Sequence, residues 1–413
     1  MAEAGEVGPA PERLHALDAV RGGALLLGIV LHTTMSFIPA PARIWIVEDN
    51  ERSSVLAVLF FAIHIFRMTT FFLIAGFFAH MSFHRRGARD FVKDRLRRIA
   101  LPLLVSWPIL FTALSLVAIW AASLQNHGRV PIAPHWLAFP KFPLLHLWFL
   151  YVLLEFYAAA LVLRAGVTWI DAAGRIRSGA DRLVGLVMRH PLGLVIPAVP
   201  VAIAFAFDPA WSMWFGVRTP DQSFVTGPQA IAGFGTAFGF GWLLHRQIAL
   251  IQVLERRWIL NLIIAIALIA ASLAIAGVTP RLTPIRDDAT RLAGAACYAL
   301  ATWTTTFAVI GLALRFLSGF SPARRYVADA SYWLYLIHLP MVMALQVAVF
   351  SLDWPWPAKF VAILAIVFPA LFASYQLLVR YNFIGAVLNG RRKRPSSELS
   401  SPQNSSIPYK SIT

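Results

Sequence analysis

Two side chains on the first apolar stretch of this chain have the types and spacing to do chemistry. Arg21 and His32 stand eleven residues apart between Leu14 and Pro39. That is close to three whole helical turns, so a helix carries both on one face, about 16 Å apart along its axis. An imidazole titrates near neutral pH and can act as a general base or a nucleophile. A guanidinium is a permanent cation that suits phosphates and developing oxyanions. At membrane depth an Arg costs on the order of 2.5–3.5 kcal/mol, which marks the pair as a candidate site. The plainer readings are an Asp18–Arg21 pair at i, i+3 and an interhelical hydrogen bond from His32.

Further candidates lie on later apolar stretches. His64 and Arg67 share a face at i, i+3, ahead of FFLIAGFF at 71–78, where Gly76 permits another helix to approach closely. The run HLWFLYVLLEFY, residues 146–157, opens with His146 and Trp148 at an interface and carries Glu155 near mid-membrane, where a carboxylate needs a partner or a proton. SYWLYLIHLP, residues 331–340, places Tyr335 and His338 at i, i+3. Arg85, Arg86, Arg95 and Arg98 belong to a basic cluster that suits a phosphate grip, although ordinary positive-inside charge also explains it.

The elements that must position these groups are legible from composition. Apolar residues make up 58% of the 413 and charged residues only 14%, well below the roughly 25% charged expected of a soluble domain. The apolar residues fall into ten blocks long enough to be spans, at about 16–38, 55–80, 99–120, 144–163, 191–207, 226–245, 258–276, 292–314, 331–350 and 357–379. The fold expected is therefore all-α, a polytopic integral membrane protein with about ten transmembrane helices.

The net charge of +16 does not point to nucleic acid, because 25 of the Lys and Arg residues lie in alternate connections and only 7 in the others. By the positive-inside rule that asymmetry places both termini in the cytoplasm. The first block lacks a basic leader and a small-residue cleavage site, so it reads as a retained span. The lone cysteine, Cys297, forms no intramolecular disulfide, and no metal-ligand spacing occurs. The expected organisation is a tail at 1–13, a membrane domain at 14–383 and a basic, disordered tail at 384–413. The segment 80–98 is expected to form a short amphipathic helix on the inner surface. No internal repeat is evident, which weighs against the inverted-repeat plan of many transporters.

A basic inner mouth, an Arg-to-His stripe and an aromatic outer vestibule suit acyl transfer from a coenzyme A thioester to a sugar hydroxyl. His32 would serve as base or nucleophile, and Arg21 would lie along the donor's path. Trp136, Trp148, Trp211 and Trp214 offer flat faces to sugar rings, although an interfacial aromatic belt explains them equally.

Several motifs also carry a family resemblance. LDAVRG leading into Arg21 and His32, FFLIAGFF, Arg95-Leu-Arg-Arg98, HLWFLYVLL and SYWLYLIHLP together resemble the acyltransferase-3 superfamily of integral membrane acyltransferases. Within it the chain looks most like the glucan-biosynthesis C type, whose members attach succinyl groups to periplasmic glucans. Ala75 stands where many relatives have Ser. The resemblance implies transfer of a succinyl or acetyl group from acyl-CoA to a glycan hydroxyl, in a bacterial inner membrane and without a metal. It implies that His32 and Arg21 are both needed for activity. The residues themselves offer Glu155 and His338 as further catalytic candidates, Arg95, Arg98, Arg85 and Arg86 for donor binding, and His64, Arg67, His146 and Trp148 for substrate binding. Partners expected are acyl-CoA, a glycan acceptor, the lipid bilayer and separate glycan-synthesis proteins, but no nucleic acid. A transporter or flippase for a lipid-linked sugar or anion is the rival reading.

Overall fold

In bilayer hydrocarbon no water is available to the backbone, so a spanning segment must satisfy its N–H and C=O groups internally, which a helix does. The computed structural model describes residues 12–39, 45–125, 139–281 and 283–389. Among the described residues the regular elements are helical, and the β-type pairing is one isolated bridge between Lys141 and Ser223. The helices are α1 (Glu12–Thr34), α2 (Ser54–Arg95), α3 (Leu101–Gln125), α4 (Trp148–Ile170), α5 (Arg175–Arg189), α6 (Val195–Ala206) and α7 (Pro228–Ala230). They continue as α8 (Thr236–Leu244), α9 (Ile251–Arg256), α10 (Trp258–Ala276), α11 (Asp288–Phe316), α12 (Pro322–Val349), α13 (Trp356–Ser374) and α14 (Phe383–Leu388).

Helix falls on every one of the ten apolar blocks. Seven helical runs among the described residues are long and apolar enough to cross a membrane, so this is a multi-pass membrane protein. One of the seven, Ser54–Gln125, is 72 residues long. Unbroken it would reach roughly 100 Å, several times a bilayer core of about 30 Å. Gly87, at φ 77° and ψ 172°, breaks it where the basic segment begins. The expected separate helix at 80–98 is thus replaced by the end of one long helix, a glycine break and a fresh start. Two further segments were not foreseen. The connection after α4 contains the amphipathic helix α5, and α14 is ordered helix inside the expected tail, with Asn389 Nδ2 donating to Asp329 O at 2.7 Å. Residues 1–11 and 390–413 lie outside the described residues.

The core is centred on α11, which is lined with small residues and threonines. Thr302, Thr304 and Thr305 return their hydroxyls to carbonyls one turn back, at 2.7–2.9 Å, so they can be buried without stranding a donor. The close approach expected at Gly76 is made by α8. A Cβ at Gly76 would lie 1.9 Å from Phe238 O, and one at Gly241 would lie 1.9 Å from Leu73 O. Only two facing glycines let these backbones touch. Across the bundle α1 packs chiefly against α12 and α2, and this three-helix contact frames the site.

A histidine chamber as the candidate active site

Between α1, α2, α3, the start of α4 and α12 lies a chamber of about 1100 Å³. His32 enters it from α1, His64 and Arg67 from α2, His146 and Trp148 from the turn into α4, and Tyr335 and His338 from α12. Its mouth is formed by Trp45, Gln125, Arg218, Asp221 and Gln222, all on the side opposite the basic end of the bundle. Burial raises the Asp221 carboxyl above the usual carboxylate range.

Three of the four imidazoles are fixed by the backbone. His64 Nε2 lies 2.9 Å from Phe215 O, His146 Nε2 3.0 Å from Leu336 O, and His338 Nδ1 2.7 Å from Tyr335 O. A carbonyl oxygen can only accept, so each of these nitrogens carries the proton and donates. The other ring nitrogen of each neutral imidazole therefore holds a lone pair. His146 Nδ1 and His338 Nε2 are buried with nothing to bond. His146 is aimed by a strained neighbour: Leu145 sits at φ 56°, in the left-handed region, with its N–H bonded to Asp221 O at 3.0 Å.

His32 is different. Among the described residues no carbonyl fixes its tautomer, and its Nδ1 is buried without a partner. Its ring stacks on Trp45 at 5.8 Å and lies 5.3 Å from His338, which in turn lies 5.4 Å from His146. It is positioned instead through its own backbone. Gln346 Nε2 donates to His32 O at 2.9 Å and to Thr33 O at 3.2 Å, carbonyls that the end of α1 leaves unpaired. Gln346 Oε1 then accepts from Trp45 Nε1 at 2.8 Å. An imidazole whose ring no carbonyl holds among the described residues, with a large space before it, is placed for general base work on a bound hydroxyl.

Arg21, on the same helix face as His32, does not border this space. Arg21 pairs with Asp18 at 3.0 Å and lies over Phe78 at 5.8 Å, at the basic end of α1. The wall of the chamber stops at Leu25, one turn short of it. The guanidinium beside the chamber's imidazoles belongs to Arg67, because helix spacing aligns residues on one helix but says nothing about what a neighbour inserts. Glu155 does not border the chamber either. Its carboxylate accepts from Thr226 Oγ1 at 2.5 Å and ties α4 to the segment before α7.

The arginines expected to hold the donor gather elsewhere. Arg86 and Arg98 pair with Asp94 at 2.7 and 3.0 Å, Arg95 lies 3.7 Å from it, and Arg85 is exposed nearby. Arg95 also lies over the rings of Phe91 and Tyr157, at 4.9 and 4.8 Å. Of the tryptophans, Trp148 is in the chamber wall, Trp211 and Trp214 are sealed in the core, and Trp136 lies outside the described residues. Sequence reasoning missed Trp45 and Gln346. A glutamine inside an apolar span is itself an anomaly that could have been followed; nothing in the sequence singles out Trp45.

The family described as "Acyltransferase domain" matches residues 14–376. The chain is also similar to Glucans biosynthesis protein C from Escherichia coli strain SMS-3-5, from Shigella dysenteriae serotype 1 strain Sd197 and from E. coli strain K12. Each is 31% identical over 152 residues, 35% of this chain and 37% of the relative. The match thus spans little more than a third of those proteins. No solved structure gives a significant match.

Proposed function

This chain belongs to the acyltransferase family, and on that footing we propose that it is a membrane O-acyltransferase. It moves a succinyl or acetyl group from cytoplasmic acyl-CoA to hydroxyls of a periplasmic glucan or related glycan. The observation that carries this reading is His32, an imidazole with no carbonyl bound to its ring among the described residues, facing a chamber of about 1100 Å³.

In the proposed reaction the acceptor hydroxyl enters by the mouth near Trp45 and Arg218, against His64, His146 and Trp148. His32 takes the hydroxyl proton as the oxygen attacks the thioester carbonyl carbon. The new imidazolium lies against the oxyanion that forms. The carbonyl then re-forms, the C–S bond breaks, and the departing thiolate takes the proton back from His32. The products are the glycan ester and free coenzyme A, and His32 is neutral again.

The donor comes from the opposite end. Arg85, Arg86, Arg95 and Arg98, with Arg21, are proposed to take its phosphates, since planar guanidinium forks suit them. The acyl arm then passes the single turn between Arg21 and Leu25 to reach His32. We place the chain in a bacterial inner membrane with ten crossings and both termini in the cytoplasm. The 72-residue run supplies two of these, and α6 and the segment 228–244 supply two that are individually short. Separate glycan-synthesis proteins would deliver the acceptor.

Mass spectrometry of periplasmic glycans tests this in a strain carrying His32→Ala at normal protein level. The glycan is expected intact but without acyl groups. Near-normal acylation removes His32 from the mechanism. Loss of the whole glycan, with unchanged decoration on what remains, overturns acyl transfer in favour of transport.

A further inference from the structure

Several cations among the described residues, within the bundle or at its ends, meet negative or carbonyl partners. Arg21 has Asp18, Arg86 and Arg98 have Asp94, Arg291 has Asp288 and Ala206 O, and Lys359 has Asp49. Arg67 has no hydrogen bond or ion pair among the described residues, and its Nε is buried with nothing to bond. A guanidinium at membrane depth with no protein counter-charge favours an anion beside it. Arg67 lines the chamber, so an anion that pairs with it is one that the chamber admits.

The position of Arg67 relative to His32 limits what that anion is. A Cβ built on Gly28 would lie 2.2 Å from Arg67 Nη1. The guanidinium therefore fills the place of a side chain on α1 at residue 28. Gly28 and His32 are i and i+4 on one face, about 6 Å apart along the axis, with Arg67 on the side towards the basic end. Three carbon–carbon bonds separate the two carboxyl carbons of a succinyl group and span about 4 Å. A charge-assisted hydrogen bond of about 2.8 Å closes the remaining gap. A carbonyl held at His32 would thus put a second carboxylate, two methylenes away, on Arg67.

We infer that Arg67 binds the free carboxylate of a dicarboxylic acyl group, and so selects a succinyl-type donor over acetyl. This rests on the acyl-transfer reading above and deepens it. A larger residue at 28 would push the guanidinium out of this place. A fork–fork contact to a carboxylate also fixes the direction of the acyl chain, which a hydrophobic slot for acetyl would not.

The test uses the full chain in lipid nanodiscs, with succinyl-CoA or acetyl-CoA and unsubstituted periplasmic glucan. Wild type should favour succinyl-CoA. Arg67→Gln and Gly28→Ala should each lower the succinyl-to-acetyl ratio by about 10- to 100-fold, as expected for a lost hydrogen bond to a charged group, while acetyl transfer persists. Equal loss of both transfers in monodisperse variants overturns the inference and assigns Arg67 to the reacting oxygen or the donor phosphates. Calorimetric binding of succinamate against butyramide, which keeps the uncharged carbonyl and lacks the distal carboxylate, needs no turnover and guards against an inactive preparation. Tighter succinamate binding that vanishes in Arg67→Gln supports the assignment, and equal binding of the two amides sinks it. Wild type that binds succinamate selectively yet transfers neither group would refute acyl transfer and leave the anion site standing.

Discussion

Gln346 on α12 joins His32 and Trp45, which lie thirteen residues apart on either side of the end of α1. Its amide donates to His32 O at 2.9 Å and accepts from Trp45 Nε1 at 2.8 Å. The bond to the backbone sets where the His32 Cα stands, and the bond to the indole sets the ring stacked on its imidazole.

Gln346→Leu keeps the volume and removes both bonds. Leaving buried carbonyls unpaired should cost about 1–3 kcal/mol, seen as a lower melting temperature. Displacement of the imidazole should lower turnover by about tenfold or more, with little change in donor KM. Glycan acylation and melting are measured on the same preparations. Wild-type turnover in a destabilised variant would show that Gln346 is structural and does not position His32.

A second device holds the loop that carries Trp45. Lys359 Nζ lies 2.8 Å from Asp49 Oδ1, with both side chains about 1% exposed, and the Asp49 and Ser53 N–H groups return to Ser36 O and Phe37 O. Lys359→Met strands a buried carboxylate and should cost about 3–5 kcal/mol, whereas the Asp49→Asn, Lys359→Met double variant should recover most of that loss. Thermal unfolding in detergent measures both. A double variant no better than the single one would mean that packing, and not charge, dominates there.

The unforeseen helix α5 is tied down by charge. Asp181 accepts from Arg246 Nε and Nη2, both at 2.8 Å, and this bond holds its carboxyl below the usual carboxylate range. A depressed folded-state pKa contributes stability above the unfolded value of about 4, lost as pH falls through the folded value. The pair is about one-third exposed, so the contribution is at most about 1 kcal/mol. Melting curves between about pH 7 and pH 3 should therefore fall less steeply for Asp181→Asn than for wild type. Parallel curves would show that the pair does not hold α5.

The amino-acid sequence by itself determined that this chain is helical and membrane-embedded, and it located the ten helical blocks. Apolar length and the backbone's need for internal hydrogen bonds admit no other element there. It also determined that His32 lies on the first of them and that another helix touches Gly76, because periodicity within one helix and the absence of a side chain are local properties. Which groups meet His32 was decided only by packing. Arg21, aligned with it on the same helix, is held at the far end by Asp18, while Arg67 crosses from α2 into the space that Gly28 leaves. Gln346 and Trp45 are 301 residues apart in the chain and 2.8 Å apart in the fold. Helical spacing fixes the face of a residue, but the rotation and depth of each helix against its neighbours come from the summed contacts of the bundle, and those exist only once it has assembled.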